Sequence, residues 1–419
     1  MKRHRTLPAA TLAAALLISL TACSTKGTDR STDADGATRT GPGVSATTIT
    51  LGVLTDLSGP GAPLGKASLQ AQQLYFDRVN AAGGVCGRKV ELLVRDHGYD
   101  VQKAVAGYTE IQPRIAAVAQ LLGSPQTTAL LDSVERDGLL TLVGGNSASL
   151  LGHPHVRLVA TTYGVEMVNG VDFLVGRAAL AAGDKVGLVY QEGDYGADAA
   201  AGARFAARKA GLTLVEQTVK ATDTDMTAQV TALRAAGVKA VLFSGTPGQT
   251  ASLVGVATAT GLRVPVLASS PAFVAQLLDT PVKAALEQSL YVSSSLPPLG
   301  SDAPAVTGLL ADYRAKYPTE PLNQAVEVGA VDGKLMTDAL TAACKAGDLS
   351  RNGITAALNG LHAFDNGFGT VQDYSRTDQP PSLKTYVLQP ADGVPGGLKT
   401  VRDAAEAPAV AEFLAATKN

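Results

Sequence analysis

Between Ile49 and Asp96 the chain reads ITLGVLTDLSGPGAPLGKASLQAQQLYFDRVNAAGGVCGRKVELLVRD, and the order of apolar and small residues in this stretch restricts the fold more than any other feature. Ile49 to Leu57 is an apolar, β-rich run that stops at Ser58-Gly59-Pro60-Gly61, a cluster that neither a strand nor a helix interior tolerates. Beyond it Ala67, Ala71, Leu74 and Tyr75 recur at helical spacing, and Gly83-Gly84 closes the pattern as a glycine C-cap does. Val90 to Val94 supplies a second buried strand. The unit is strand, long glycine-rich loop, helix, strand. In an open parallel sheet, loops at the carboxyl ends of strands are where ligands sit.

The alternation continues. Ile115 to Leu122 predicts a strand, Ala129 to Asp137 a helix and Leu139 to Val143 a strand, with small polar loops at Gly123-Ser124-Pro125-Gln126-Thr127 and Gly144-Gly145-Asn146-Ser147. A second series follows: Lys185 to Tyr190, a helix from Asp194 to Ala210, Leu212 to Val219, a helix near Met226 to Ala236, Ala240 to Phe243, a helix ending by Gly261, and Val264 to Ala268. At 419 residues, 46% of them hydrophobic, the chain is too long for one ordinary core and suits two α/β lobes plus tails. A net charge of -2, with no basic clustering beyond the extreme N-terminus, argues against a nucleic-acid partner.

Lys2, Arg3 and Arg5 precede an Ala- and Leu-rich run from Pro8 to Leu20, the layout of a secretory signal. That run falls short of the roughly 20 apolar residues needed to span a bilayer, so it directs export. Leu20-Thr21-Ala22-Cys23 resembles the lipobox of bacterial lipoproteins, which implies a signal peptide over 1–22 and a lipid on Cys23. Ser24 to Gly43 is rich in Ser, Thr, Asp and Gly and reads as a flexible spacer within a linker over 23–46. The expected location is extracytoplasmic, anchored by lipid to the outer face of the cell membrane. Of the remaining cysteines, Cys86 and Cys344 either pair as a disulfide, which export favours, or stay as small buried apolar residues. With no nearby His pair they make no metal site.

The combination of LGVLTDLSGPGAPLG, the helix ending in FDRVNAAGG, GRKVELLVRD and DHGYDVQKAV resembles the start of a type I periplasmic solute-binding protein of the leucine/isoleucine/valine-binding branch. The resemblance is ordered over almost the whole mature chain. It implies two Rossmann-like, doubly wound parallel-sheet lobes joined by a hinge of three crossovers. Lobe 1 would comprise 47–160 and 294–363, lobe 2 161–293 and 364–405, and 406–419 a C-terminal helix and tail. Leu158 to Tyr163, Tyr291 to Ser295 and Phe364 to Val371 match the crossovers, helices are expected over Ala303 to Tyr317 and Ala325 to Lys345, and Leu383 to Leu388 is an added second-lobe strand. Cys344 then ends a first-lobe helix, in the same lobe as Cys86.

In that family, hydroxyls and backbone amides of the first lobe hold a ligand carboxylate. The matching residues are Ser124, Gly145 and Ser147, with Ser58 and Gly59 as weaker candidates. Tyr195, in GDYG, matches the family tyrosine that covers the ligand, and Tyr163 lies at the first crossover. Where amino-acid binders place a further tyrosine, this chain has Ser244-Gly245-Thr246. Where they place the acid that pairs with the ligand's ammonium, it has Ala268-Ser269-Ser270-Pro271. A buried ammonium without an anionic partner costs several kcal/mol, so either Asp96, Glu166 or Asp194 takes that role or the solute lacks an ammonium. Thr246 and Ser270 remain possible contacts.

Catalytic motifs fail on inspection. Gly61, Gly65 and Lys66 mimic a P-loop, but the glycine spacing is one short and Ala67 stands where a hydroxyl residue would meet magnesium. No Gly-x-Ser-x-Gly elbow occurs. His153 and His155 flank Pro154 as an exposed loop pair, and Asp96, His97 and Asp100 read as a strand end and a helix cap. The expectation is a non-enzymatic, monomeric clamp without cofactor or metal that captures a small polar solute, an amino acid or a related molecule, and delivers it to the permease subunits of an ABC importer. The alternative is a ligand-sensing ectodomain that signals through a separate membrane partner.

Overall fold

The computed structural model describes residues 38–417. The expected leader over 1–22, Cys23 with its expected lipid and the expected spacer up to residue 37 lie outside the described residues. β1 (Arg39–Thr40) comes first, followed by β2 (Thr48–Thr55), α1 (Ala62–Ala81), β3 (Lys89–Asp96), α2 (Val101–Ile111), β4 (Ala117–Leu121), α3 (Ser124–Asp137), β5 (Thr141–Val143) and β6 (Val156–Leu158). β2 to β6 form a wholly parallel sheet in the order β3-β2-β4-β5-β6. Such a sheet needs cover on both faces. Ile49, Leu51 and Val53 of β2 pack into the core on one face, and Leu54 into the core on the other. Asp100 caps α2 by accepting the Lys103 N–H, as the sequence predicts.

The second lobe contains α4 (Tyr163–Arg177), β7 (Lys185–Gln191), α5 (Asp194–Lys209), β8 (Thr213–Val219), α6 (Thr227–Ala236), β9 (Ala240–Ser244), α7 (Pro247–Ala259), β10 (Val266–Ala268), α8 (Lys283–Ser289) and β11 (Leu290–Ser294). The chain then adds α9 (Pro304–Lys316), α10 (Ala325–Lys345), β12 (Asp348–Leu349), α11 (Arg351–Asn359), β13 (Phe364–Asp365) and β14 (Val371–Gln372) to the first lobe, and β15 (Thr385–Pro390), β16 (Leu398–Ala405) and α12 (Val410–Ala416) to the second. The second sheet runs β16-β15-β11-β10-β9-β7-β8, parallel from β8 to β11 with an antiparallel pair added at β15 and β16. In both lobes the first five parallel strands therefore repeat one spatial order, 2-1-3-4-5. That order places the topological switch point between β2 and β4 in one lobe and between β7 and β9 in the other, where a crevice opens beyond the strand ends.

Side chains mark where the chain changes lobe. Val159 packs in the first core and Tyr163 in the second; Val292 lies in the second and Leu296 in the first; Tyr374 lies in the first and Leu383 packs on the second. The passages are tied together: the Thr161 N–H donates to Ser295 Oγ at 3.0 Å, and Gln372 Nε2 donates to the Val159 carbonyl at 2.8 Å. α1 packs on α10, and Cys86 and Cys344 are joined in a disulfide with Cα atoms 6.6 Å apart.

Four features differ from the sequence expectation. The spacer ends earlier, because Arg39–Thr40 pair in parallel with Asp348–Leu349 and Gly43, at φ +80°, packs against the backbone of Ile115 and Ala116. α1 and α3 begin about a turn before the apolar periodicity does, since Pro63 and Pro125 sit in first turns, where a missing N–H costs nothing. β16 is an added edge strand whose largely exposed, charged sequence LKTVRDAA carries no buried-strand signal. The third passage falls after Tyr374 rather than over Phe364 to Val371, because Phe364, Phe368 and Tyr374 belong to the first core.

Candidate functional site

The loops that the switch points open come together between the lobes. After β2, Asp56 organises the first loop: Oδ1 accepts the N–H groups of Ser58 at 3.2 Å and Gly59 at 2.6 Å, and Oδ2 accepts that of Gly61 at 2.7 Å. After β4, Gly123 at φ +99° turns the chain directly into α3 at Ser124. After β7, Gly193 at φ +98° leads into α5 and brings Tyr195 inward. After β9, Thr246 caps α7 in a reciprocal box with Gln249. These four loops line a cavity of about 60 Å³, with Gly61, Tyr99, Ser124, Tyr163, Gln191, Tyr195 and Thr246 among its walls.

Five helices, α1, α3, α4, α5 and α7, start against this cavity. In α4 the Tyr163, Gly164 and Val165 amides already donate to the Asn146 carbonyl, Asp198 Oδ2 and Thr162 Oγ1, and in α1 the Leu64 and Gly65 amides donate to the Gly61 carbonyl. It is therefore the N-terminal turns and dipoles of α3, α5 and α7 that favour an anion here without any Lys or Arg. The side chains agree. Ser124 Oγ is buried with no hydrogen-bond partner and so keeps a proton to donate, whereas the unpartnered Gln191 Oε1 is an acceptor. The Tyr195 hydroxyl lies 2.5 Å from Ser269 Oγ and donates to the Gly245 carbonyl at 3.3 Å. Its ring meets that of Tyr163 edge-on at 4.6 Å. Burial holds the Tyr99, Tyr163 and Tyr195 hydroxyls above the usual phenol range, so they stay protonated as donors. Tyr99 holds φ +62°, a left-handed backbone that is costly for a tyrosine and is braced by its N–H donating to His97 Nδ1 at 3.0 Å.

A second cavity, about 100 Å³, adjoins the first across Leu64, Leu122, Gly144 and Pro271. It runs between α1 and α10 beneath the hinge, and its wall is mostly apolar: Val159, Leu296, Ala325, Val328 and Val331. No charged residue lines either cavity. Leu64 packs on both the first-lobe and second-lobe cores, and Ser147 Oγ donates to the Asp194 carbonyl of α5 at 3.2 Å, so the lobes meet around the site.

Ser124, Tyr163, Tyr195 and Thr246 therefore converge on the smaller cavity, while Ser270 reaches the larger one. Ser58, Gly59, Gly145 and Ser147 line neither. Gly145 packs so close that a Cβ would strike the Ser124 N and Oγ, and it is Gly144 that faces the cavities. None of the acids considered for an ammonium lines a cavity either. Asp96 Oδ1 accepts from the Leu57 and Gly98 N–H groups. Glu166 is buried behind Ser270, whose N–H donates to Oε2 at 3.0 Å, and burial pushes its carboxyl up to about 8. His155 is half-buried and pairs with Glu135 at 2.6 Å, and the described residues hold no group of metal-ligating side chains. Sequence reasoning missed Gln120, Asn146 and Gln191. For Gln120 and Gln191 the only signal was a lone polar residue inside or at the end of an apolar strand run; Asn146, in a small polar loop, had none.

Residues 48–394 match the model of the periplasmic binding protein family. The leucine/isoleucine/valine-binding protein homolog 3 of Brucella melitensis is 27% identical over 202 residues, 47% of this chain and 54% of the relative. The chain thus spans about half the length of the first curated relatives it matches. The structure of a fatty acid ABC transporter substrate-binding protein from Thermomonospora curvata is similar, with a TM-score of 0.88 and 41% identity over 89% of this chain and 96% of that one. A branched chain amino acid ABC transporter structure from Thermus thermophilus with bound valine matches at TM-score 0.77 and 20% identity over 88% and 99% of the two chains, which shows a shared fold. Two α/β lobes that meet around a crevice at their switch points, with this family match, have one reading: the chain belongs to the periplasmic binding protein family, type I, in its leucine/isoleucine/valine-binding branch.

Proposed function

We propose that this chain is the extracytoplasmic, lipid-anchored substrate-binding component of an ABC importer, and that its solute is a carboxylic acid with an apolar tail. The carboxylate would sit in the smaller cavity, on the Ser124 hydroxyl, the Tyr99 and Tyr163 hydroxyls and helix amides; the tail would enter the larger one. The lining of both cavities without a single charge carries this reading, because an amino-acid ammonium would have no anionic partner there. Similarity at 41% identity to a fatty acid transporter's binding protein supports the same solute class. The clamp would do no chemistry: a ligand that touches both lobes only when they are closed selects the closed state, which the permease then recognises.

Calorimetric titration of the delipidated soluble body with straight-chain monocarboxylates of increasing length tests this. Each added methylene buried is worth about 0.8 kcal/mol, so affinity should rise about fourfold per carbon and fall once the chain outgrows the cavity. Length-independent affinity, or no binding of any member, would refute the assignment.

A further inference from the structure

The wall of the larger cavity is not uniformly apolar, and its polar groups fall into two sets. Gln324 Nε2 is consumed by the Pro297 carbonyl at 2.6 Å and by Glu327 Oε2 at 2.9 Å. Ser294 Oγ is consumed by the N–H and carbonyl of Leu296, and Ser295 Oγ accepts from Thr161. These groups hold the hinge. The second set is different. Ser68, Gln120 and Asn146 are each more than nine-tenths buried and line the cavity. Asn146 Oδ1 has no hydrogen-bond partner.

A relay fixes how the other two face it. Asp332 Oδ2 accepts from Gln72 Nε2 at 2.9 Å, which also donates to Gln120 Oε1 at 3.4 Å, so the Gln120 amide nitrogen is turned to donate to Ser68 Oγ at 3.0 Å. With its oxygen already accepting, the Ser68 hydroxyl retains a proton to give, and the Gln120 amide retains a second N–H. The lining thus offers donors and an unmet acceptor. A plain alkyl chain would satisfy none of them, whereas a hydroxyl, which both accepts and donates, satisfies both kinds.

Resting on the function proposed above, we infer that the larger cavity selects a carboxylic acid whose chain carries a second, uncharged hydroxyl, recognised by Ser68, Gln120 and Asn146. The delipidated soluble body is titrated with octanoate and with its monohydroxy isomers, one position at a time. At least one isomer is expected to bind about tenfold more tightly than octanoate, and that ratio should collapse to within about threefold in Ser68→Ala and, as an independent variant should the first not fold, in Asn146→Ala. Octanoate binding as tightly as every isomer overturns this inference and leaves the carboxylic-acid reading standing. A preference that survives in both variants also overturns it. Failure of octanoate and all isomers to bind overturns both.

Discussion

Replacing Glu166 with Gln should flatten the dependence of stability on pH. The carboxyl is wholly buried on α4, held by the Ser270 N–H, with Asp198 as its acidic neighbour. Burial raises its pKa from 4.5 to about 8, so between those values the unfolded chain releases a proton that the folded chain keeps. The sign follows: the contribution is fully present below 4.5, is lost progressively as pH rises, and levels off above about 8. At about 1.4 kcal/mol per pH unit, the full loss is at most roughly 5 kcal/mol. In Glu166→Gln the Oε1 atom still accepts the Ser270 N–H, but nothing at that position titrates, so this part of the slope vanishes and only a pH-independent offset remains. Asp198, which burial lifts to about 7, adds a slope of its own that persists in the variant. Urea unfolding at closely spaced pH values from 4.5 to 8.5 would show the wild-type and variant curves converging or diverging steadily across that interval. Parallel curves would mean that Glu166 is ionised in the folded protein, and the reasoning would be refuted.

Further outcomes follow from the site and the disulfide. Ser124→Ala removes a buried donor at the proposed carboxylate position and should weaken octanoate binding by about tenfold to a hundredfold, read by calorimetry. Val331→Phe fills the larger cavity and should shift the chain-length optimum to shorter acids, with a stability cost of about 1–3 kcal/mol readable in the same urea series. Cys344→Ser opens a loop of 258 residues and should cost about 2–5 kcal/mol of stability, lost equally when the wild type is reduced.

Much of the fold is legible in residue order. Buried parallel strands such as Ala117–Leu121 are short, mostly apolar runs that stop at a glycine-led loop, and the repeated alternation leaves little besides two doubly wound lobes. What escapes is local and has physical causes. Ser124-Pro125-Gln126 reads as loop because Ser and Pro are turn formers, although the same residues make a good first helical turn. β16 escapes because an exposed edge strand needs no apolar pattern. At the site, the missing ammonium partner is visible as Ser269-Ser270, and the structure adds that Glu166 points to the Ser270 backbone instead of replacing it. Gln120 and Asn146 could not be assigned from sequence, because their role depends on α1 and α10 closing a cavity around residues distant in the chain.

The central claim is that the crevice takes a carboxylate with an apolar tail and has no provision for an ammonium. Calorimetry of the same delipidated soluble body with octanoate and with leucine tests it most directly. Octanoate should bind saturably, and leucine at least about a hundredfold more weakly, since its ammonium would be buried unpaired. Leucine binding as tightly as octanoate, or more tightly, would contradict the account.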